Sequence, residues 1–344
     1  MSDSFPAELI DQVAHYLHVT DLVALSTINS YVYPLAQRWL YRQITINYSS
    51  NNLSVVFTLA QNPHLARYVR IFSIRLGSCS VLSSFYHLLR TALSNMSQLT
   101  SLDIFLDHAA SWVMQTSDDS TYNCLERFAS SFHIDRLIHF LRKTNALLEL
   151  EVDSLPLSSA TVAPSLVANA LPKLNQFTGS SQAAQCIVPG RPVESIHLNS
   201  GDLTEDVAES LAKSTAHVSL LAATTTSHSV ALILTITQCM NHLVHLIILT
   251  SVNFSEPPDA VSTYTILTLF SYFSHHLSLQ SYFVNISDAL RSLHDLRTCE
   301  IWGTHWVSSK NNFHDVETVW EPEPFNQPDE NQLENLYSDF YFAT

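Results

Sequence analysis

Glycine is scarce in this sequence. There are five in 344 residues, where average usage would supply about 24. Gly77, Gly179, Gly190, Gly201 and Gly303 lie far apart, so neither a GxGxxG turn nor a P-loop can be written anywhere in the chain. A GxSxG nucleophile elbow is missing too. Charge is thin as well: Asp, Glu, Lys and Arg make up 14% of residues, against about a quarter in ordinary domains. Bases are the scarcer kind, 16 against 31 acids, for a formal net charge of −15. That balance argues against a nucleic-acid partner, which needs a basic footprint. The cysteines are few and scattered. Cys79, Cys124, Cys186, Cys239 and Cys299 form no CxxC pair, and their odd number fits reduced, buried thiols better than a disulfide framework. Residues 1–6 lack the basic and apolar regions of a signal peptide. A cytoplasmic or nuclear location is therefore expected.

What is present is apolar. Hydrophobic residues make up 46%, enough for a sizeable core and too many for global disorder. The length allows one to three domains. No Asp, Glu, Lys or Arg occurs in residues 214–255. The apolar runs there, residues 230–236 and 243–249, are separated by Gln238, Asn241 and His242 and have no basic flank. A membrane span wants about 20 predominantly apolar residues with a basic side. The expectation is a buried helix followed by a buried strand, with no membrane partner.

The first fifty residues read as three short helices. Pro6 suits the first helical position, and Glu8 meets the positive end of the helix dipole. Leu9, Val13, Tyr16 and Leu17 then recur at helical spacing. Thr20 reads as a cap for a second helix carrying Leu22, Leu25 and Ile28. Pro34 opens a third with Leu35, Trp39 and Leu40, and residues 41–46 alternate like a strand. Three helices in so few residues cannot bury all their apolar positions among themselves. The leftover surface predicts a docking module.

These residues resemble a known family. Phe5-Pro6-Ala7-Glu8-Leu9-Ile10, then Tyr16-Leu17, Asp21-Leu22, Leu25-Ser26 and Leu40-Tyr41-Arg42 with Ile44, is similar to the F-box in its fungal variant. The likeness covers residues 5–46 and continues more weakly through Asn62-Pro63 and Val69-Arg70. Phe5 replaces the usual Leu, and Ser30-Tyr31 stand where a basic pair before an aromatic is common. The resemblance implies docking to a Skp1-like adaptor, and through it to a cullin. The residues carried over as Skp1-binding are Phe5, Pro6, Leu9, Ile10, Val13, Leu17, Leu22, Leu25, Trp39 and Leu40. Some of them must pack the module's own core.

The body shows a degenerate repeat. Segments starting at Val69, Leu99, Leu147, Leu174, Val193, Val218, Leu243 and Leu296 share an aliphatic start followed by an alternating strand. Their start-to-start spacings are 30, 48, 27, 19, 25, 25 and 53 residues, several within or beside the range of leucine-rich repeats, about 20–29. The two long gaps leave room for a further unit or an insertion each, and Leu277 to Phe283 is a candidate strand for one such unit. Helical runs at 81–93, 132–141, 207–211 (capped by Thr204) and 266–273 alternate with the strands. Strand then helix at this period resembles a leucine-rich-repeat solenoid; an ordinary α/β domain is the alternative. Residues 107–123, 158–165 and 179–191 read as loops.

The expected organisation is α/β: an F-box at 1–48, a linker helix at 49–65, an irregular leucine-rich-repeat-like solenoid at 66–304, and an acidic, partly disordered tail at 305–344. Beyond Lys310 there are eight acids and no base, and the prolines at 322, 324 and 328 should break regular structure. No catalytic, metal or cofactor site is legible. His242 and His245, and His275-His276, carry no HExxH or Cys/His companion. The expected function is substrate recognition within a Skp1–cullin–F-box ubiquitin ligase, non-catalytic, with an unknown protein as target. A repeat scaffold outside any ligase, or an α/β enzyme with a scattered site, is the alternative.

Overall fold

The computed structural model describes residues 6–49, 52–76, 82–116, 121–152, 166, 170–227, 229–250, 279–309 and 319–323. It is a mixed α/β protein with two compact units, Met1–Thr224 and Thr225–Thr344. The first unit opens with three helices, α1 (Ala7–His15), α2 (Val19–Ser26) and α3 (Tyr33–Leu40), and then β1 (Gln43–Asn47). Next come α4 (Ser54–Gln61), α5 (Pro63–Ala66), β2 (Ile71–Arg75), α6 (Ser83–Asn95) and β3 (Ser101–Phe105). A 3-10 helix (His108–Met114), β4 (Arg127–Ser130), α7 (Ile134–Leu141), β5 (Glu149–Val152) and β6 (Gln176–Ser180) follow. The unit closes with α8 (Ser181–Ile187), β7 (Ser195–Ser200), α9 (Glu205–Leu211) and β8 (Leu220–Thr225).

Strands β1 to β8 form a parallel ladder in which each pairs with its neighbours in sequence. Alternation fixes the register. Ile44, Phe72, Leu102, Phe128, Leu150, Phe177, Ile196 and Leu221 stand in one row and are all buried. A one-residue slip of any strand would turn its apolar residues to the opposite face. Each such side chain contributes roughly 1.5–3 kcal/mol by leaving water. Two residues before each of β2 to β8 sits a buried aliphatic: Val69, Leu99, Leu125, Leu147, Leu174, Val193 and Val218. This is the repeat seen in the sequence, with one member added. Leu125 with β4 fills the first long gap and divides it into steps of 26 and 22 residues. The sequence hid this unit because Ser130 stands where the neighbouring strands carry Ile104 and Val152.

Small polar caps do the turning that glycine does elsewhere. The Ser180 hydroxyl accepts from the Ala183 N–H at 3.1 Å, and the Thr204 hydroxyl accepts from Val207 at 3.4 Å, as its sequence position predicts. Residues 179–191, expected as a loop, instead end β6 and form α8. Glycine is retained where bulk is excluded. A Cβ on Gly179 would lie 2.8 Å from the Val152 carbonyl oxygen and 2.9 Å from Phe177 Cζ. Gly201 has φ +79 and faces the Ser181 hydroxyl.

The second unit holds α10 (Val230–Cys239), β9 (His245–Thr250), α11 (Leu279–Leu290), β10 (Thr298–Ile301), β11 (Thr304–Ser309) and β12 (Val319–Pro322). The charge-free segment forms a helix with buried Leu232, Ile233 and Ile236, and then a strand, as expected. No described helix is long and apolar enough to cross a membrane. β9 and β10 are parallel, and β10, β11 and β12 are antiparallel. Two corrections arise here. Residues 279–283, expected within a strand, belong to α11; short apolar runs do not separate the two states by periodicity. Pro322 ends a strand instead of preventing one, because β12 pairs on one side with β11 and the missing N–H costs no ladder bond there. Trp306 and Trp320 are buried. The expected helix at 266–273, the loop at 158–165 and the tail beyond residue 323 lie outside the described residues.

Candidate docking surface

Helices α1 to α3 have a very small core. Ala14, Leu22, Val32 and Ala36 are the side chains buried there. Polar clamps supplement it. The Asp11 carboxylate on α1 accepts from Trp39 Nε1 on α3 at 2.8 Å and pairs with the Arg38 guanidinium. The Trp39 ring lies 4.7 Å from the His15 ring and 4.9 Å from the Arg42 guanidinium. Asn29 Oδ1 accepts from the N–H groups of Tyr31 (3.0 Å) and Val32 (2.8 Å), turning the chain into α3. The starts of the first two helices differ slightly from expectation. Pro6 is extended and sits just before α1, and its carbonyl accepts from Leu9 and Ile10. The second helix begins at Val19 after His18, ahead of Thr20, with Asp21 in its first turn.

This geometry divides the candidate residues. Leu22 is buried and belongs to the core. Trp39 is half-buried and is held by Asp11. Ile10 and Leu17 are half-buried and flank Ala14 at helical spacing, so they mark the inward side of α1. Leu25 and Leu40 are also half-buried, Pro6 is exposed, and Phe5 lies outside the described residues. Leu9 and Val13 are 43% and 53% exposed. Tyr16 continues their side of the helix and is 85% exposed. The sequence stripe on α1 is thus wider than the face the protein buries.

Sequence reasoning missed part of the surface. Val19 and Val23, one turn apart on α2, are exposed, as are Ile28, Tyr31 and Tyr33. Of seventeen large apolar side chains exposed among the described residues, eight lie between Leu9 and Tyr33. Scattered exposed apolar residues need no explanation, but such a concentration makes this segment the candidate docking surface. Val19 and Val23 also read as ordinary core positions, so no sequence signal sets them apart.

The polar face of the strand ladder is the other candidate. Its charged groups are largely paired: Arg75 with Asp103 at 3.8 Å, and Arg127 with Glu149 at 3.9 Å. Ser195 Oγ lies 3.3 Å from His197 Nε2. Burial lowers the His197 pKa, keeping the ring neutral. Its register neighbours are Thr178 and Ala222, and neither is a carboxylate that could orient the ring as a catalytic base requires. Two histidines of the second unit are tied to local partners. His242 Nδ1 is 3.1 Å from the Asp295 carboxylate, and His245 Nδ1 is 2.7 Å from the Thr298 hydroxyl. Among the described residues no three His, Cys, Asp or Glu side chains gather as a metal site. Cys124, Cys186, Cys239 and Cys299 are free thiols, with Cys299 buried and Cys239 exposed. Burial pushes the Cys299 thiol up and so suppresses its thiolate. No protein-family model matches this sequence, and comparison with curated proteins finds no relative.

Proposed function

We propose that this chain is the substrate-recognition subunit of a Skp1–cullin–F-box ubiquitin ligase. In this reading the first three helices are an F-box, and their exposed apolar face docks a Skp1-like adaptor. The strand–helix ladder that follows is an irregular leucine-rich-repeat-like solenoid, and it holds the target protein. The chain contributes position and no chemistry: it brings the target into high effective concentration near ubiquitin carried by other subunits. The observation that carries the reading is the concentration of exposed apolar side chains on α1 and α2, at Leu9, Val13, Tyr16, Val19 and Val23. It coincides with the segment whose residues resemble the F-box. The regular placement of a buried aliphatic before each parallel strand supports the repeat reading.

Co-purification tests this. The full chain and a chain lacking residues 1–46 are each expressed with a Skp1-like adaptor. The expected result is adaptor recovered with the full chain and lost with the truncation. A folded full chain that recovers no adaptor would overturn the ligase reading and leave a repeat scaffold.

A further inference from the structure

An acid-free run stands out against the net charge of −15. Residues 22–102 contain no Asp or Glu and six arginines: Arg38, Arg42, Arg67, Arg70, Arg75 and Arg90. The fold sets two of them side by side, with a third three residues ahead of the second in the chain. The N–H groups of Arg70 and Ile71 both donate to the Arg42 carbonyl, at 2.8 and 3.1 Å, which sets Arg42 and Arg70 side by side at the starts of β1 and β2. Arg67 lies in the short turn that leads into β2, and its N–H donates to the Pro63 carbonyl. Arg42 and Arg67 are exposed, and Arg70 is half-exposed.

These three guanidinium groups differ from five of the other nine arginines. Arg38, Arg75, Arg127, Arg136 and Arg291 each meet a carboxylate. Among the described residues Arg42, Arg67 and Arg70 meet none. Arg42 lies over the Trp39 ring, and Arg70 donates to the backbone oxygen and side-chain oxygen of Gln98 at 2.8 and 2.9 Å. In a chain with nearly twice as many acids as bases, an unneutralised arginine group is a specific feature. Its surroundings are partly apolar, because the Trp39 ring lies under Arg42.

We infer that Arg42, Arg67 and Arg70 form a docking patch for a short acidic segment of a partner protein, one that carries an aliphatic or aromatic residue among its carboxylates. The planar guanidinium fork matches carboxylate geometry, and such charge-assisted bonds are stronger than neutral ones. The patch is open and lies at strand starts, so it fits a chain passing across it. A long polyanion fits poorly, because the net negative charge of the whole protein repels it. A short segment senses mainly the charges within a Debye length, about 8 Å at physiological salt. The inference is independent of the adaptor reading, and its test needs no adaptor.

Fluorescence anisotropy with the full chain decides it. The probe is a short labelled peptide of Glu and Leu, compared with the same peptide carrying Gln for every Glu. The expected result is binding of the Glu peptide only, weakening as salt rises, with a loss of about tenfold or more in the triple variant Arg42→Gln, Arg67→Gln, Arg70→Gln. Arg136→Gln, on α7, leaves binding unchanged. If the triple variant melts early, the double variant Arg42→Gln, Arg67→Gln, whose changes are both exposed, carries the test with a smaller loss. No binding of the Glu peptide, equal binding of the Gln peptide, or unchanged affinity in the folded variants overturns the inference. Tighter binding of a single-stranded DNA oligonucleotide than of the Glu peptide overturns the choice of partner.

Discussion

Val13→Asp separates docking from folding at a single position. Val13 is 53% exposed, so about half of its side chain already faces water in the free protein. Full burial of such a side chain is worth roughly 1.5–3 kcal/mol. The folded chain therefore loses only about 1 kcal/mol on substitution, and Val and Asp have similar helix propensities, so α1 keeps its local stability. An adaptor covering this face would instead bury an unpaired carboxylate, at a cost of several kcal/mol. Each 1.4 kcal/mol is about tenfold in affinity, so the expected loss is at least about a hundredfold. Leu22→Ala supplies the contrast. Leu22 is 5% exposed, and truncating a buried Leu costs about 2–5 kcal/mol. Its effect falls on the folding of α1 to α3. Titration calorimetry with a Skp1-like adaptor reads the first quantity, and hydrogen exchange across residues 7–40 of the free chain reads the second. The reasoning is refuted if Val13→Asp binds as the parent does, or if it opens the three helices as far as Leu22→Ala does.

Three further outcomes follow from the fold. Gly179→Ala forces a Cβ against the Val152 carbonyl and the Phe177 ring, so it should destabilise the first unit by about 1–3 kcal/mol; an unchanged melting temperature would contradict the tight approach of β5 and β6. Burial holds the His197 pKa in the folded chain below its ordinary value of 6.5. The unfolded chain therefore binds the proton more readily, and stability should fall as pH drops below about 6.5; denaturant titrations of His197→Asn should show a flatter slope there. Burial raises the Glu300 carboxyl above its ordinary 4.5, opposed by the charge of His305. Stability should fall as pH rises from 4.5 through the raised value. Glu300→Gln should therefore melt higher than the parent at pH 7, and an equal or lower melting point would exclude the burial cost.

The strand ladder was legible because its signal is local. An aliphatic two residues before an alternating strand is a pattern of six residues, and Leu99, Leu147 and Val193 all carry it. β4 escaped because Ser130 stands in the inner row of Ile104 and Val152. Ser130 is tolerated there because its hydroxyl accepts from the Phe132 N–H at 3.0 Å. The hairpin of β11 and β12 escaped because its stability comes from a partner strand, which outweighs the breaking tendency of Pro322. The three N-terminal helices were legible in outline, but their faces were not. Leu9, Val13 and Tyr16 read like core, and so do Ile10, Ala14 and Leu17. Only packing against α3, through Asp11, Arg38 and Trp39, decides which of the two sides turns inward. The arginine patch was invisible in the overall charge count, since it needs β1 and β2 to be paired before Arg42 meets Arg70.

Hydrogen exchange on the full chain, with and without a saturating Skp1-like adaptor, tests the docking surface most directly. The account predicts slowed exchange across residues 7–26, the helices that present Leu9, Val13, Val19 and Val23, with the amides of the strand ladder unchanged. Unchanged exchange in α1 and α2, or protection confined to residues beyond 43, would contradict it.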